Sequence, residues 1–389
     1  MLSFELAEYK ERLKKTKASM QDKGIDVLLV TNPANMNYLS GYDGWSFYVH
    51  QMIIVVIDEE QPFWIGRMQD GNGARFTTWL DDNHIIPYPE DHIQSTEKHP
   101  MDFVCNILKE IGQTKRTIGL EMDAYYFTAA CYVKLNEGLP EATFKDATTL
   151  VNFVRIIKSD QEIAYMRRAA RIVEKSMQQA IDHIQEGVRE CDVAAAIVHQ
   201  QIAGTEEFGG DYTAIAPILP AGEHTSTSHL NWSDERYTNN IPVLIEIAGA
   251  YKHYHSPLAR TVYIGEPDPK MNDLSKACIE GINTTIEAIK PGMTGEAVEQ
   301  VWRKVIHKYG FEKESRAGYS IGVNYPPDWG EHTASFRPGD QTVLKPNMTF
   351  HLMPGIWMDD IGFECTEAIR ITENGCETLA DFPRKLFLK

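Results

Sequence analysis

Residues 243–249 read Val243-Leu244-Ile245-Glu246-Ile247-Ala248-Gly249, an apolar run with one carboxylate in its middle. Such a run without polar alternation is typical of a central strand that is buried on both faces. An unpaired ionised carboxylate there would cost several kcal/mol or take up a proton. Glu246 is therefore either paired for structural reasons or positioned for chemistry, and the run alone leaves both interpretations open.

The bulk properties exclude several classes of protein. The 389 residues predict two domains, and 43% hydrophobic with 24% charged residues is typical of a globular chain. A net charge of −17 argues against nucleic-acid binding. It fits a neutral or cationic small substrate, and equally an acidic surface that favours solubility. No apolar run or signal-peptide pattern predicts a membrane segment or export, and six cysteines without paired spacing predict reduced thiols in the cytoplasm.

The first half of the chain alternates predicted strands and helices up to about residue 155. Its predicted elements are a helix at 4–24, strands at 26–30, 53–57, 62–65 and 117–121, and a helix at 127–135. Two glycine-punctuated loops interrupt them. The loop at 35–50 contains Trp45 and Phe47, which either belong to the core or line a small-molecule pocket. The loop at 66–73 contains Arg67, which is either a clamp for a substrate carboxylate or a solvated arginine.

The second half begins with a capping box, Ser159 and Glu162, which opens a helix to about residue 183. Glycine turns at 184–188 and 289–293 each separate two amphipathic helices, and strand-rich segments follow both helix pairs. This pattern predicts a duplicated unit. Polar clusters lie in the strand-rich segments, at 222–229, 253–261, 318–322, 325–330, 350–355 and 362–367.

These motifs resemble the pita-bread superfamily of creatinase, prolidase and methionine aminopeptidase over the whole chain. The resemblance implies a mixed α/β fold. A creatinase-type domain would span 1–155, and a pita-bread catalytic domain of duplicated helix-pair and strand units around a curved antiparallel sheet would span 156–389. The superfamily's metallopeptidases hold two metal ions with two Asp, one His and two Glu. Those five positions fall here on Glu246, Pro257, Tyr319, Met353 and Thr366.

Four of the five ligand types are therefore lost, and the remaining residues suit hard divalent ions poorly. The resemblance implies a metal-free branch without a cofactor, although Glu364 or Glu367 could restore one ligand of a single metal. Longer stretches resemble one family in that branch, the ectoine hydrolases. They are 42–51, 66–70, 246–249, 254–258, 325–331 and 382–387.

This closer resemblance implies hydrolytic ring opening of the cyclic amidine ectoine to N-acetyl-diaminobutyrate. It implies Glu246 as the nucleophile, or as a carboxylate that positions water or the cation. The histidine that creatinase uses as its acid and base falls on His229. Further candidates for substrate binding are His255, Tyr319, Glu364, Tyr254, Arg67, Trp45 and Phe47.

The resemblance also implies a homodimer in which loops of the N-terminal domain reach the partner's active site. No nucleic-acid or membrane partner is expected. Two other functions stay open: a metallopeptidase that cuts Xaa-Pro bonds, and a non-catalytic protein that binds a small solute. The sequence also leaves open whether a hydroxylated ectoine is accepted and which N-acetyl isomer is released.

Overall fold

The computed structural model describes residues 2–389 and divides into two units, Met1–Arg155 and Ile156–Lys389. The elements of the first unit are α1 (Leu6–Asp22), β1 (Val27–Val30), α2 (Pro33–Ser40), β2 (Met52–Val56), β3 (Phe63–Arg67), α3 (Gly71–Thr77), β4 (Ile85–Tyr88), α4 (Pro100–Glu110), β5 (Thr117–Leu120), α5 (Ala129–Gly138), β6 (Thr143–Asp146) and α6 (Leu150–Val154).

The first unit is built on one mixed six-stranded sheet in the order β4-β3-β2-β1-β5-β6. Strand β2 pairs antiparallel with β1 and β3, whereas the other pairs are parallel. Alternate residues of β1 contribute to two cores, with Val27 and Leu29 on one face and Leu28 and Val30 on the other. Helices on both faces of the sheet therefore account for the continuous apolar character of its central strands.

Two segments expected to be loops contain helices. Residues 33–40 form α2 because Asn32 caps the helix by accepting a hydrogen bond from Ala34 N–H at 2.9 Å, with Pro33 in the first turn. Gly41 ends this helix at a φ of +83°, which favours glycine. The segment 66–73 continues β3 through Arg67 and then enters α3 at Gly71.

The elements of the second unit are α7 (Asp160–His183), α8 (Glu190–Ala203), β7 (Ile241–Tyr251), β8 (Tyr254–Ile264), α9 (Pro269–Ala288), α10 (Gly295–Lys308), β9 (Gly318–Ile321), β10 (Gly330–Phe336), β11 (Thr349–Leu352), β12 (Gly355–Trp357), β13 (Gly362–Glu364), β14 (Glu367–Ile371), β15 (Cys376–Thr378) and β16 (Phe387–Leu388). A helix pair precedes strands twice, as predicted, and the predicted mixed α/β class is confirmed. The capping box of Ser159 and Glu162 opens α7 as expected.

The second unit places its strands in three groups. Strands β16, β8 and β7 form one sheet, and β10, β9, β11, β14 and β15 form another in that order. Strands β12 and β13 pair with each other. No helix among residues 2–389 combines the length and apolar character that crossing a membrane requires.

The predicted central strand is β7, which pairs antiparallel with β8 along its whole length. All positions from Pro242 to Ala250 are buried. On its other side β7 forms single bridges, Ile218 with Glu246 and Ala221 with Val243. Backbone on both sides therefore fixes the position of Glu246.

Helix α7 packs closely against β7 at Gly249. A Cβ atom at this position would lie 2.0 Å from the carbonyl oxygen of Ala169 in α7. Only glycine allows the helix backbone to approach the strand so closely. The helix is thus seated on the strand three residues after Glu246.

Candidate active site

The Glu246 side chain is buried, and the residue is 5% exposed. Its backbone N–H and C=O both bond to Ile218 at 3.0 Å. Oε1 of Glu246 lies 4.0 Å from Nδ1 of His351 on β11, which is too far for a hydrogen bond. Burial, and then the nearby Glu364 carboxylate, raise the pKa of Glu246 well above its usual range.

Glu364, the last residue of β13, is fully buried, and neither of its carboxylate oxygens has a hydrogen-bond partner. Its backbone is held by Thr261, whose hydroxyl accepts from Glu364 N–H and donates to Glu364 C=O, both at 3.0 Å. Burial raises the pKa of Glu364 to about 7, against the opposing effect of Lys313. A buried carboxyl group that lacks donors is the kind of group for which a ligand is expected to supply them.

Lys313, in the loop between α10 and β9, supplies the positive charge of this region. It is 7% exposed, and its Nζ donates to the carbonyl oxygen of Met353 at 2.8 Å. The same Nζ lies 4.8 Å from the centre of the Trp357 ring. Burial lowers the pKa of Lys313 to about 8, although Glu364, Cys278 and Glu246 act in the opposite direction.

A chain of hydrogen bonds borders Glu246. Trp329 Nε1 donates to the Tyr319 hydroxyl at 2.7 Å, and that hydroxyl lies 3.0 Å from Nδ1 of His351. Nε2 of His351 lies 2.7 Å from the Thr366 hydroxyl, which accepts from Ala259 N–H at 2.7 Å. Burial lowers the pKa of His351 to about 3, so the imidazole is neutral at physiological pH. The chain therefore fixes polar groups beside Glu246 without forming a hydrogen bond to its carboxyl group.

His229 lies apart from these residues. Its side chain is exposed, and its ring contacts the hydroxyl of neighbouring Ser228 at 3.4 Å. Within residues 2–389 no hydrogen bond or ion pair joins His229 to Glu246. The backbone next to His229 is nevertheless connected to the backbone at Glu246. Leu230 C=O accepts from Leu219 N–H, and the preceding residue, Ile218, pairs with Glu246.

His255 and Tyr254 are buried but already engaged. Nδ1 of His255 lies 2.9 Å from the carbonyl oxygen of His253, and Nε2 accepts from Ala214 N–H at 2.9 Å. The Tyr254 hydroxyl donates to Glu162 at 2.8 Å. These contacts use the groups that were expected to bind substrate, so we leave both residues out of the proposed site.

Arg67, Trp45 and Phe47 belong to the first unit. The guanidinium of Arg67 donates to both carboxylate oxygens of Glu90, and its Nη1 donates to the Tyr48 hydroxyl at 2.8 Å. The forked face that would clamp a substrate carboxylate is therefore filled by Glu90. Trp45 is 65% exposed, with its ring 5.0 Å from that of Phe47.

The residues at the superfamily's five metal positions do not fit two divalent ions. Pro257 has no ligand atom, and the hydroxyls of Tyr319 and Thr366 are held in the hydrogen-bonded chain. At the fourth position the Met353 carbonyl oxygen accepts from the Lys313 ammonium, so a cation already lies beside it. One carboxylate, Glu246, remains of the original set.

A second group of metal-ligand types lies in the first unit. His50, His99 and Cys131 place ligand atoms within 4.8 Å of one another, the one such group of three within residues 2–389. Nδ1 of His99 accepts from Met101 N–H at 3.1 Å as the cap of α4, so the neutral ring carries its proton on Nε2. His99 thus has no free lone pair for a metal, and this cluster does not offer three ligands.

Sequence reasoning missed Lys313 and the role of His351. Lys313 stands in the stretch Phe311-Glu312-Lys313-Glu314-Ser315-Arg316, which has the composition of a solvated loop. His351 was noted in a polar cluster, but its partners lie on strands far apart in sequence. The strand Thr349–Leu352 places His351 between the apolar residues Phe350 and Leu352, a signal similar to the one that singled out Glu246.

Comparisons with known proteins agree with this architecture. Residues 164–374 match the model of metallopeptidase family M24, and residues 12–157 match the creatinase/prolidase N-terminal domain. The chain is 46% identical to ectoine hydrolase of Halomonas elongata, covering 100% of this chain and 99% of that protein. It is 26% identical to the Xaa-Pro dipeptidase of Pyrococcus furiosus, covering 97% and 99%.

Solved structures share the fold. The prolidase from Pyrococcus horikoshii superimposes with a TM-score of 0.81 at 24% identity, covering 97% of this chain and 99% of that one. The Xaa-Pro dipeptidase from Bacillus anthracis gives 0.81 at 23% identity, covering 98% and 100%. The predicted family and pita-bread fold are thus confirmed. The chain is a hydrolase of the M24 family and carries a creatinase/prolidase-type N-terminal domain ahead of its pita-bread domain.

Proposed function

We propose that this chain hydrolyses the ring of ectoine, a cyclic amidine that bears a carboxylate, to N-acetyl-diaminobutyrate without a metal ion. The full-length identity of 46% to an ectoine hydrolase supports the substrate. The pair of buried carboxylates, Glu246 and Glu364, is the observation that carries the proposal. Burial raises both pKa values, and within residues 2–389 no lysine or arginine forms an ion pair with either carboxylate.

An amidinium ring would complete this charge arrangement. Its positive charge lies on the carbon and two nitrogens that must react, and its N–H groups would supply the donors that Glu364 lacks. Binding would favour the ionised form of Glu246, since a nearby cation lowers a carboxyl pKa. The site would thereby gain its nucleophile or base when the substrate arrives.

Glu246 would act on the ring carbon between the two nitrogens. In one route its carboxylate attacks that carbon, a C–N bond breaks, and water then displaces the glutamate. In the other it removes a proton from a water that attacks the same carbon. Both routes add one water in total, with the oxygen ending on the acetyl carbon and a proton on the departing nitrogen.

For the proton of the departing nitrogen we propose Glu364, whose pKa of about 7 suits a group that both gives and takes a proton near neutrality. His229 is the second candidate, on the strength of its superfamily position. It would have to approach the site by movement of its exposed turn. Variants of the two residues separate these assignments, as set out in the Discussion.

Metal independence is tested by incubating the purified chain with ectoine, with and without a strong chelator, and following the ring-opened product by NMR. We expect equal rates. Loss of activity on chelation, restored by one divalent ion, would overturn this part of the proposal. Xaa-Pro dipeptides with added manganese serve as the competing substrate, and binding of ectoine without turnover would favour a solute-binding protein.

We also propose that the active form is a homodimer in which the loop with Trp45 and Phe47 closes the partner's site. The exposure of Trp45 to 65% supports this, because a large exposed indole is typical of an interface. Mixing a Trp45→Ala chain with a Glu246→Gln chain tests it. Recovered activity in the mixture is the expected result, and none would be recovered if each chain built its site alone.

A further inference from the structure

The ammonium of Lys313 has few partners for a buried charge. Its one hydrogen bond within residues 2–389 is to the Met353 carbonyl oxygen, at 2.8 Å. An ammonium offers three N–H donors, so two find no protein acceptor in the described chain. The Trp357 ring, 4.8 Å away, adds an aromatic face but no acceptor. A buried ammonium in this state lacks the partners that would offset its desolvation.

The charges that influence Lys313 are the carboxylates of the active site. Glu364 and Glu246 both act to raise its pKa. Yet neither carboxylate forms an ion pair with Lys313 among the described residues. One positive and two negative groups therefore influence one another without forming an ion pair. Both oxygens of Glu364 lack a hydrogen-bond partner, and Lys313 uses one of its three donors.

We propose that Lys313 binds the carboxylate of a zwitterionic substrate while Glu246 and Glu364 hold the amidinium of the same molecule. This inference rests on the proposed function and names the residue that sets its substrate class. A ligand with a cationic end and an anionic end satisfies all three groups at once. A cyclic amidine without a carboxylate leaves the Lys313 ammonium unpaired. The positive charge of the amidinium is then repelled by that of Lys313.

Lys313 takes the place for which Arg67 was expected. Arg67 has its forked face filled by Glu90, whereas Lys313 has free donors and belongs to the same unit as the two carboxylates. Arg316 is the rival anchor, because its guanidinium lies 4.2 Å from the centre of the Tyr319 ring. It is exposed, and a solvated arginine gains less from a substrate carboxylate than a buried ammonium does.

The test compares two substrates in two proteins. The substrates are ectoine and methyl-tetrahydropyrimidine, which is the same cyclic amidine without the carboxylate. In the wild-type chain we expect kcat/KM to favour ectoine on the order of a hundredfold, as loss of one partner of a buried charge pair predicts. In Lys313→Met this preference should fall to a few-fold, mainly through a higher KM for ectoine. The activity on methyl-tetrahydropyrimidine should be retained.

Three outcomes would overturn the inference. Equal loss on both substrates in Lys313→Met would mean that the lysine acts through the carboxylates or the fold. No preference in the wild-type chain would mean that nothing anchors the carboxylate. If Arg316→Met loses the preference for ectoine and Lys313→Met keeps it, Arg316 is the residue that binds the carboxylate. Lys304→Met, which removes an exposed charge from α10, is the matched control and should leave both rates unchanged.

A second variant and a binding measurement distinguish an effect on folding from an effect on substrate recognition. Lys313→Gln retains an N–H donor and is used if the methionine variant does not fold. If the wild-type chain turns over neither compound, the proposed reaction fails, and calorimetric binding of the same two compounds then decides the inference. If it turns over both equally well, the reaction stands and the carboxylate anchor falls.

Discussion

Oε1 of Glu246 and Nδ1 of His351 lie 4.0 Å apart, close enough to interact and too far to share a proton directly. The imidazole is neutral and committed to Tyr319 and Thr366. His351 therefore positions polar groups beside the carboxylate and does not pair with it. Because Glu246 has no ion pair with His351, substitutions of Glu246 should affect the chemistry more than the structure.

Glu246→Gln should lower kcat for ectoine hydrolysis by about a thousandfold or more, because a neutral amide neither attacks nor takes a proton. Stopped product assays measure the loss. Glu299→Gln is the matched control, since Glu299 is also buried but is paired with Arg303 at 2.7 Å on α10. Near-normal turnover by the Glu246 variant would show that the carboxylate only balances the substrate's charge.

Glu364→Gln should lower kcat by about a hundredfold to ten-thousandfold if its carboxyl supplies the proton. His229→Ala should cost less, because the exposed ring does not contact Glu246 in this structure. Rates of both variants across the pH range decide the order. A larger loss for His229→Ala would return the acid–base role to the histidine.

Glu364 should also make stability depend on pH. Its folded pKa of about 7 is above its usual value of 4.5, so the folded state holds the proton more tightly than the unfolded state does. The stabilisation is therefore present below about pH 4.5 and is lost as the pH rises through about 7. Denaturant unfolding should show the wild-type chain losing about 1–3 kcal/mol more than Glu364→Gln across this interval. Parallel pH profiles for the two proteins would contradict this.

Gly249→Ala should destabilise the second unit by about 2 kcal/mol or more, because its Cβ would meet the backbone of α7. The predicted contact with the Ala169 carbonyl oxygen is 2.0 Å. Gly73→Ala is the comparison, since no atom lies within 4 Å of its Cβ position in α3. That substitution should be neutral or stabilising in denaturant unfolding, and equal effects of the two would refute the close approach.

The parts of the fold that follow from local sequence were predictable. The buried strand at Glu246 and the capped helix after Ser159 depend on neighbouring residues, and both occur as expected. Helix α2 was missed because it has only eight residues and most of them fell in the segment 35–50, which was assigned to a glycine-punctuated loop. Local patterns thus predicted this strand and this long helix, but not the short helix within a segment expected to be a loop.

The candidate site was only partly predictable, because contacts between distant residues set its chemistry. Glu246 and Glu364 were identified from their strands, but Arg67 finds Glu90, 23 residues away, and His351 finds Tyr319, 32 residues away. Lys313 is flanked by charged residues, and its burial depends on contacts distant in sequence, such as the Met353 carbonyl oxygen 40 residues away. No local signal distinguishes it from a lysine in solvent.

The two unpartnered oxygens of Glu364 have a consequence for the lifetime of the protein. A molecule that supplies donors to them binds the native state and not the unfolded chain, so its concentration adds directly to native-state stability. A cell that accumulates such a solute would then protect this chain from proteolysis, and a cell that exhausts the solute would lose the chain faster. Supply of substrate and abundance of the protein would become coupled without any change in transcription.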